Sequence, residues 1–181
     1  MTPPRLYPRH PRAHLPCDLR SAWDFAATPE AAKAFAASVG DWPPFADTAA
    51  AMAQFHGRFV VGILSNVDDA SLARSIAAIG TAPDFTVTAE RVGSYKPAPA
   101  HFEAACAILA GRGIGPDRWL HVAQSMFHDI APARRLGIRC CWVNRRAGRT
   151  GHGATPPVHV VPDYTVSSLA ELAALARLQA D

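Results

Sequence analysis

From Phe59 to its end, the chain alternates between short apolar runs and amphipathic stretches, and this constrains the fold more than any other feature. "FVVGIL" (Phe59–Leu64) is continuously apolar and of strand length, as expected of a strand buried on both faces. In "DDASLARSIAAIG", Asp68 or Asp69 can cap a helix, Leu72, Ile76 and Ile79 form one stripe, and Gly80 ends it. "FTVTAE" (Phe85–Glu90) is a second strand. "KPAPAHFEAACAILAG" is a second helix, entered through prolines, with Phe102, Cys106 and Leu109 on one face. "WLHVAQS" (Trp119–Ser125) is a third strand, "HDIAPARRLG" a short helix, and "RCCWVN" (Arg139–Asn144) a fourth strand. A polar loop runs to about Pro157, and "YTVSS" is a last short strand. Ser168 and Glu171 form a capping box for a final helix carrying Leu169, Leu172, Leu175 and Leu178. Strand–helix alternation predicts a doubly wound, Rossmann-like α/β fold: a parallel sheet with helices on both faces.

The text before Phe59 is different. The first 16 residues hold five prolines and no apolar period, so they should be irregular or extended. Thr28 and Pro29 suit the N-cap and first position of a helix over Pro29–Ser38. "GDWPPFADT" (Gly40–Thr48) is a proline-broken connector, and a helix over Thr48–His56 follows. We therefore divide the chain into an irregular N-terminal part, residues 1–45, and an α/β core, residues 46–181.

Composition narrows the function. A net charge of +3 with scattered basic residues argues against a nucleic-acid partner. No apolar run approaches the roughly 18 residues of a membrane span, and the N-terminus lacks the apolar core of a secretory signal. The four cysteines, Cys17, Cys106, Cys140 and Cys141, lack metal-ligand spacing. They are expected to be reduced thiols of a cytoplasmic protein, with Cys140 and Cys141 facing opposite ways from one strand.

In a doubly wound sheet, ligands bind outside the carboxyl ends of the strands. Those ends carry Ser65, Asn66 and Asp68 after the first strand, and Arg91 to Lys96 after the second. Gln124, Ser125 and Asp129 follow the third, and Asn144 and Arg145 the fourth. Each alone reads as a cap, a turn or a solvated charge. Together they place a hydroxyl, an amide, an ammonium and a carboxylate on one edge.

In that order, "GILSNVDD", "VGSYKPAPAHF", "HVAQSMFHDIAPARRLGI" and "CWVNRR" resemble the haloacid dehalogenase superfamily, most closely its type II 2-haloacid dehalogenase branch. "GDWPPFADT" resembles the segment leading from that family's helical cap into the core, so residues before it would be a cap remnant. The resemblance covers about residues 38–178. It implies nucleophilic catalysis, in which an aspartate after the first strand attacks substrate and forms an ester that water hydrolyses. It also implies roles: Ser65 bonds the nucleophile or substrate anion, and Lys96 neutralises charge. Asp129 orients Lys96 or the hydrolytic water, and Ser125 supports that network. Asn66, Gln124 and Asn144 would contact substrate. Phosphatases of the superfamily use Mg²⁺ at an acidic position that here is Gln124, a poorer ligand, so the resemblance implies no metal cofactor. Met126 stands where dehalogenases often carry an asparagine. The partners implied are a small anionic substrate and a second copy, as a homodimer.

The nucleophile is the missing piece. Asp18, Asp24, Asp41 and Asp47 all precede Phe59, and none follows a buried-strand run. In this family the strand bearing the nucleophile is central, so its loss would leave two strands with unpaired edges. Three accounts fit: a start or fragment that omits an upstream motif, a decayed copy, or a short form that binds without catalysing. The expected function is a dehalogenase-like hydrolase of 2-haloacids whose full-length form is the active one. A non-catalytic anion-binding module and a Mg²⁺-dependent phosphatase are the rivals.

Overall fold

A computed structural model of the protein describes residues 28–148 and 156–178. Five strands and the helices between them alternate as the sequence predicts, although the strands are shorter. Helix α1 (Pro29–Ser38) begins at Thr28, whose hydroxyl accepts from the Ala31 amide at 3.2 Å. A 3₁₀ turn (Val39–Asp41) and α2 (Thr48–Phe55) follow. Then come β1 (Gly62–Ser65), α3 (Asp69–Ile79), β2 (Phe85–Thr88), the single turn α4 (Ala89–Val92) and α5 (Ala100–Ala110). The core continues through β3 (Leu120–Ala123), a π-helical turn (Met126–Ile130), α6 (Ala131–Arg135), β4 (Arg139–Val143), β5 (Tyr164–Val166) and α7 (Leu169–Leu178).

Caps fix the helix ends. Asp68 accepts from the Ser71 amide at 2.7 Å, and Gly80 closes α3 at φ +79°, a left-handed conformation that costs glycine little. In the last helix, Ser168 Oγ accepts from the Glu171 amide at 3.1 Å, while Glu171 reaches back to the Ser167 amide at 2.7 Å. The expected Ser168–Glu171 box is therefore present, displaced by one residue on its return bond. The apolar stripe of α7 differs from expectation. Ala173 is buried, Leu169 and Leu172 are half-buried, and Leu175 is 47% exposed. The Leu178 side chain lies outside the described residues, as does Cys17.

All strand pairs are parallel, but they form two sheets rather than one. β1 pairs with β2, Gly62 opposite Phe85 and Ser65 opposite Thr88. β3 pairs with β4, and β4 with β5. A Cβ at Gly62 would lie 2.2 Å from the Phe85 ring across the pair, so a larger residue there would require that ring to move. Between β1 and β3 lies a cavity of about 720 Å³, and no described strand fills it. Among the described residues, β1 and β3 each have one strand partner and do not pair with each other. Phe59 and Val60 correct one expectation. They are 50% and 40% exposed instead of buried on both faces, and the strand starts later, at Gly62. Both residues lie before Gly62, the first position of the β1–β2 ladder.

Helices cover both faces of the three-stranded sheet. Cys140 packs with Phe102, Ile130, Ala133 and Ile138, whereas Cys141 packs with Val143 and Val166 beneath Leu169 and Leu172. The neighbouring cysteines do face opposite ways, and both are free and fully buried. Burial pushes the Cys141 thiol up to about 11, which keeps it protonated and inert. Among the described residues, no helix is long and apolar enough to cross a membrane.

The connector is tied to the core by Asp47. One of its carboxylate oxygens accepts from the Leu169 and Ala170 amides at 2.7 and 3.3 Å, capping α7 from far away in sequence. The other pairs with Arg145 at 2.9 Å, and the Arg145 guanidinium lies 4.0 Å from the Phe45 ring centroid. Although burial alone would raise the Asp47 carboxyl, the Arg145 and α7 amide bonds outweigh it and hold the group low. Asp47→Ala should cost about 2 kcal/mol in urea unfolding, because it removes a cap and strands Arg145. Asp47→Asn, which keeps the acceptor, should recover roughly half of that loss.

Candidate active site

The loops after β1 and β2 are locked together. Asn66 Nδ2 donates to the Lys96 carbonyl at 3.0 Å, and the Lys96 amide donates to Asn66 Oδ1 at 2.7 Å. The Asn66 amide is thereby spent on placing Lys96, where a role in holding a substrate carboxylate was expected. Lys96 then crosses from one half-sheet to the other. Its Nζ donates to the Leu64 carbonyl at 2.7 Å, at the end of β1, and to Asp129 Oδ1 at 2.6 Å, beyond β3. Both side chains of this ion pair are more than 90% buried.

Asp129 occupies the π-helical turn, where the amides of Asp129 and Ile130 both donate to the Ser125 carbonyl at 3.1 Å. The widened turn aims the carboxylate inward instead of leaving it as a dipole partner at a surface helix start. A second donor meets the same oxygen: His121 Nε2, on β3, lies 3.1 Å from Asp129 Oδ1. Its ring sits edge-on to Phe102, with centroids 5.0 Å apart. Burial by itself would raise the Asp129 carboxyl. The His121 bond and the Lys96 charge overcome it and hold Asp129 below the ordinary carboxylate value. His121 escapes the sequence reading because its only signal is a polar residue inside an apolar strand.

The remaining candidates are placed less centrally. The Ser65 carbonyl accepts from His101 Nε2 at 3.0 Å, anchoring α5 to the end of β1. That bond fixes the tautomer and leaves His101 Nδ1 buried with no partner. The Ser125 hydroxyl meets the His128 amide and Nδ1, each at 3.1 Å, and so caps its own turn. It makes no bond to Lys96 or Asp129. The Gln124 carbonyl accepts from Trp142 Nε1 at 3.0 Å, and Asn144 Oδ1 accepts from the Arg146 amide at 3.3 Å. The structure thus joins Lys96, Asp129 and Asn66 with His121, keeps Ser65 beside them, and gives Ser125 and Asn144 local turn bonds.

Among the described residues, no three His, Cys, Asp or Glu side chains converge, and Asp129 Oδ1 already carries an ammonium and an imidazole.

The buried pair makes stability sensitive to single substitutions. Lys96→Met and Asp129→Asn should each cost about 3 kcal/mol, since each strands a buried partner. The double variant Lys96→Met/Asp129→Leu should lose less than the sum, as a double-mutant cycle in urea would register. Acid should also unfold the protein in two stages. Burial lowers His101 and His128 from 6.5, so their contribution is complete above pH 6.5 and falls away as pH drops below it. Asp129 is lowered from 3.8, so its contribution persists above that value and is lost only as pH falls further. His101→Asn should flatten the first stage in a melting-temperature series between pH 7 and 5.

Comparison with known proteins places the chain in a family. The sequence profile described as "Hydrolase: haloacid dehalogenase-like hydrolase" matches residues 11–137. The haloacid dehalogenase-like hydrolase domain-containing protein 3 of Danio rerio is 35% identical over 77 residues, which is 42% of this chain and 31% of that protein. The chain therefore spans about a third of that relative. Solved structures share the fold. An L-2-haloacid dehalogenase superposes with a TM-score of 0.69 at 21% identity, covering 88% of this chain and 69% of the other. A 2-haloacid dehalogenase from Pseudomonas syringae gives 0.60 at 24%, covering 82% and 60%. The Bacillus subtilis HAD-hydrolase YfnB, bound to magnesium, gives 0.71 at 16%, covering 87% and 68%. With a family match across most of its length and a doubly wound fold to go with it, the chain belongs to the haloacid dehalogenase-like hydrolase family.

Proposed function

We propose that the Lys96–Asp129 edge is the hydrolytic part of a dehalogenase-like site, acting on a small 2-haloacid or related anion through an aspartyl ester. One observation carries this reading: a buried ammonium held against an ionised carboxylate at the carboxyl edge of β1 and β3, where ligands of such sheets bind. Lys96 would compensate negative charge on a carboxylate nucleophile and its substrate. Asp129, kept ionised by two donors, could accept a proton from the water that opens the ester. Ser65, at the end of β1, would offer its hydroxyl to the substrate anion. The structural neighbours named as haloacid dehalogenases support the substrate class. The Asp129 environment favours chemistry without Mg²⁺, and reduced, buried thiols suit a cytoplasmic protein.

The nucleophile is not among the described carboxylates near this edge. Asp47 caps α7, Asp41 pairs with Arg74 at 3.3 Å, and Asp18 and Asp24 lie outside the described residues. A second reading is an anion-binding module that keeps the edge without the chemistry. Purified as this sequence, the chain should bind 2-chloropropionate or lactate in titration calorimetry, with Lys96→Ala weakening binding at least tenfold. It should release halide at background rate. Halide release that Asp129→Ala abolishes would overturn the expected inactivity. Phosphate release dependent on Mg²⁺ would replace the dehalogenase reading with a phosphatase.

A further inference from the structure

We propose that His101 is a positioning residue for the Lys96–Asp129 edge: as a neutral imidazole it holds the end of β1 in place beside Lys96, and protonation releases it. The anion bound at that edge rests on the functional reading above, whereas the hold on β1 does not.

Three consecutive residues at and just beyond the end of β1 are gripped by side-chain bonds. The Leu64 carbonyl accepts from Lys96 Nζ at 2.7 Å, and the Ser65 carbonyl accepts from His101 Nε2 at 3.0 Å. The Asn66 side chain then exchanges two bonds with the Lys96 backbone. The outer two grips both involve Lys96. His101 supplies the middle one, from the first turn of α5. Loss of that bond frees the Ser65 peptide, and with it the short segment that sets where the ammonium sits. The His101 ring is fully buried, so it acts on the edge through Ser65 and Lys96 and not by touching a ligand.

The bond demands one form of the ring. Nε2 must carry the proton to donate to a carbonyl, which leaves Nδ1 as a bare acceptor. Nδ1 is buried and meets no hydrogen-bond partner among the described residues. A second proton there would add an N–H with nothing to receive it, and a charge shut away from water. The start of α5 also sets its own partial positive charge against a cation in its first turn. Burial lowers the His101 pKa from 6.5; the Ser65 bond and Asp129 pull the other way, and Lys96 adds to the lowering. The other charged groups on elements packed against α5 are engaged elsewhere. On α4, Glu90 accepts from the Asp69 amide at 2.8 Å and Arg91 pairs with Asp69 at 2.9 Å, both at the surface. Glu103 on α5 itself is exposed, and β1 and β2 carry no charged side chain.

Charging His101 therefore expels the ring from a dry site. The Ser65 carbonyl loses its donor, and residues 64–66 loosen against Lys96. The edge is assembled while His101 is neutral and comes apart as pH falls through its lowered pKa. Asp129, held below 3.8, keeps its charge over that window, so the change at the edge is set by the imidazole and not by loss of the ion pair.

A test uses the full 181-residue chain. Nitrogen NMR of the imidazoles should show His101 as the Nε2–H tautomer at neutral pH, titrating with a midpoint below 6.5. The Ser65 and Asn66 amide signals should move with that midpoint, a measurement that needs no variant to fold. Affinity for 2-chloropropionate in calorimetry should fall several-fold across the same titration. His101→Leu should bind it several-fold more weakly already at neutral pH. His101→Gln keeps an N–H for the Ser65 carbonyl and cannot be charged, so it should restore most of that loss and bind equally on either side of the wild-type midpoint. His128 is also lowered from 6.5 and is intact in the glutamine variant. An acid loss of affinity in His101→Gln equal to that of the wild type would assign the effect to His128 and overturn the proposal. So would the opposite tautomer, Ser65 and Asn66 amides that ignore the midpoint, or full affinity in His101→Leu. If no anion binds at any pH while Ser65 and Asn66 still follow the His101 midpoint, the hold on β1 stands and the functional reading falls.

Discussion

The ammonium of Lys96 ties the two halves of the sheet together at their carboxyl edge. It reaches the last carbonyls of β1 through Leu64 and the turn beyond β3 through Asp129. Everything around it serves to hold that position. Asn66 grips its backbone from both sides, the π-helical turn delivers Asp129, and His121 takes up the remaining demand of the same carboxylate oxygen. A buried charge pair tolerates no loose member, since either partner alone would be stranded away from water. Chemistry and architecture therefore rest on one contact: the group best placed to stabilise a reacting anion also bridges the open centre of the fold.

The space between β1 and β3 opens to solvent, and its lining mixes apolar side chains such as Phe55, Leu109 and Leu172 with Arg58, Lys96 and Asp129. The half-sheets survive because each has its own support. β3, β4 and β5 are sandwiched between α5 and α6 on one face and α7 on the other, and α7 is in turn capped by Asp47 from the connector.

Most of the scaffold was legible because local signals and global pattern agree. Thr28 capping α1, Asp68 and Gly80 bounding α3, and Cys140 and Cys141 splitting between two faces all follow from residue types read in order. Lys96 and Asp129 were legible as a pair only through their order along the chain, and they do meet. The misreadings share a cause. Phe59 and Val60 look like part of a buried strand, but the ladder begins only at Gly62 and both side chains stay exposed. Asn66 and Ser125 spend side-chain bonds on the backbone of Lys96 and His128, which their residue types alone do not reveal. His121 was overlooked because its partner, Asp129, lies beyond the end of its strand and is reached only when the π-helical turn folds back.

The sequence by itself determined the α/β alternation, the parallel strand order, most helix caps and the set of polar residues gathered at the carboxyl edge. These are short-range choices, written in periodicity and in residues such as Thr28, Asp68 and Gly80. Only the tertiary structure decided that Lys96 links the end of β1 to the turn beyond β3, and that Asp129 answers to His121 as well. Those outcomes depend on which backbone edges find partners and on which donors share one buried oxygen. Both are settled by packing across distances that no local stretch of sequence contains.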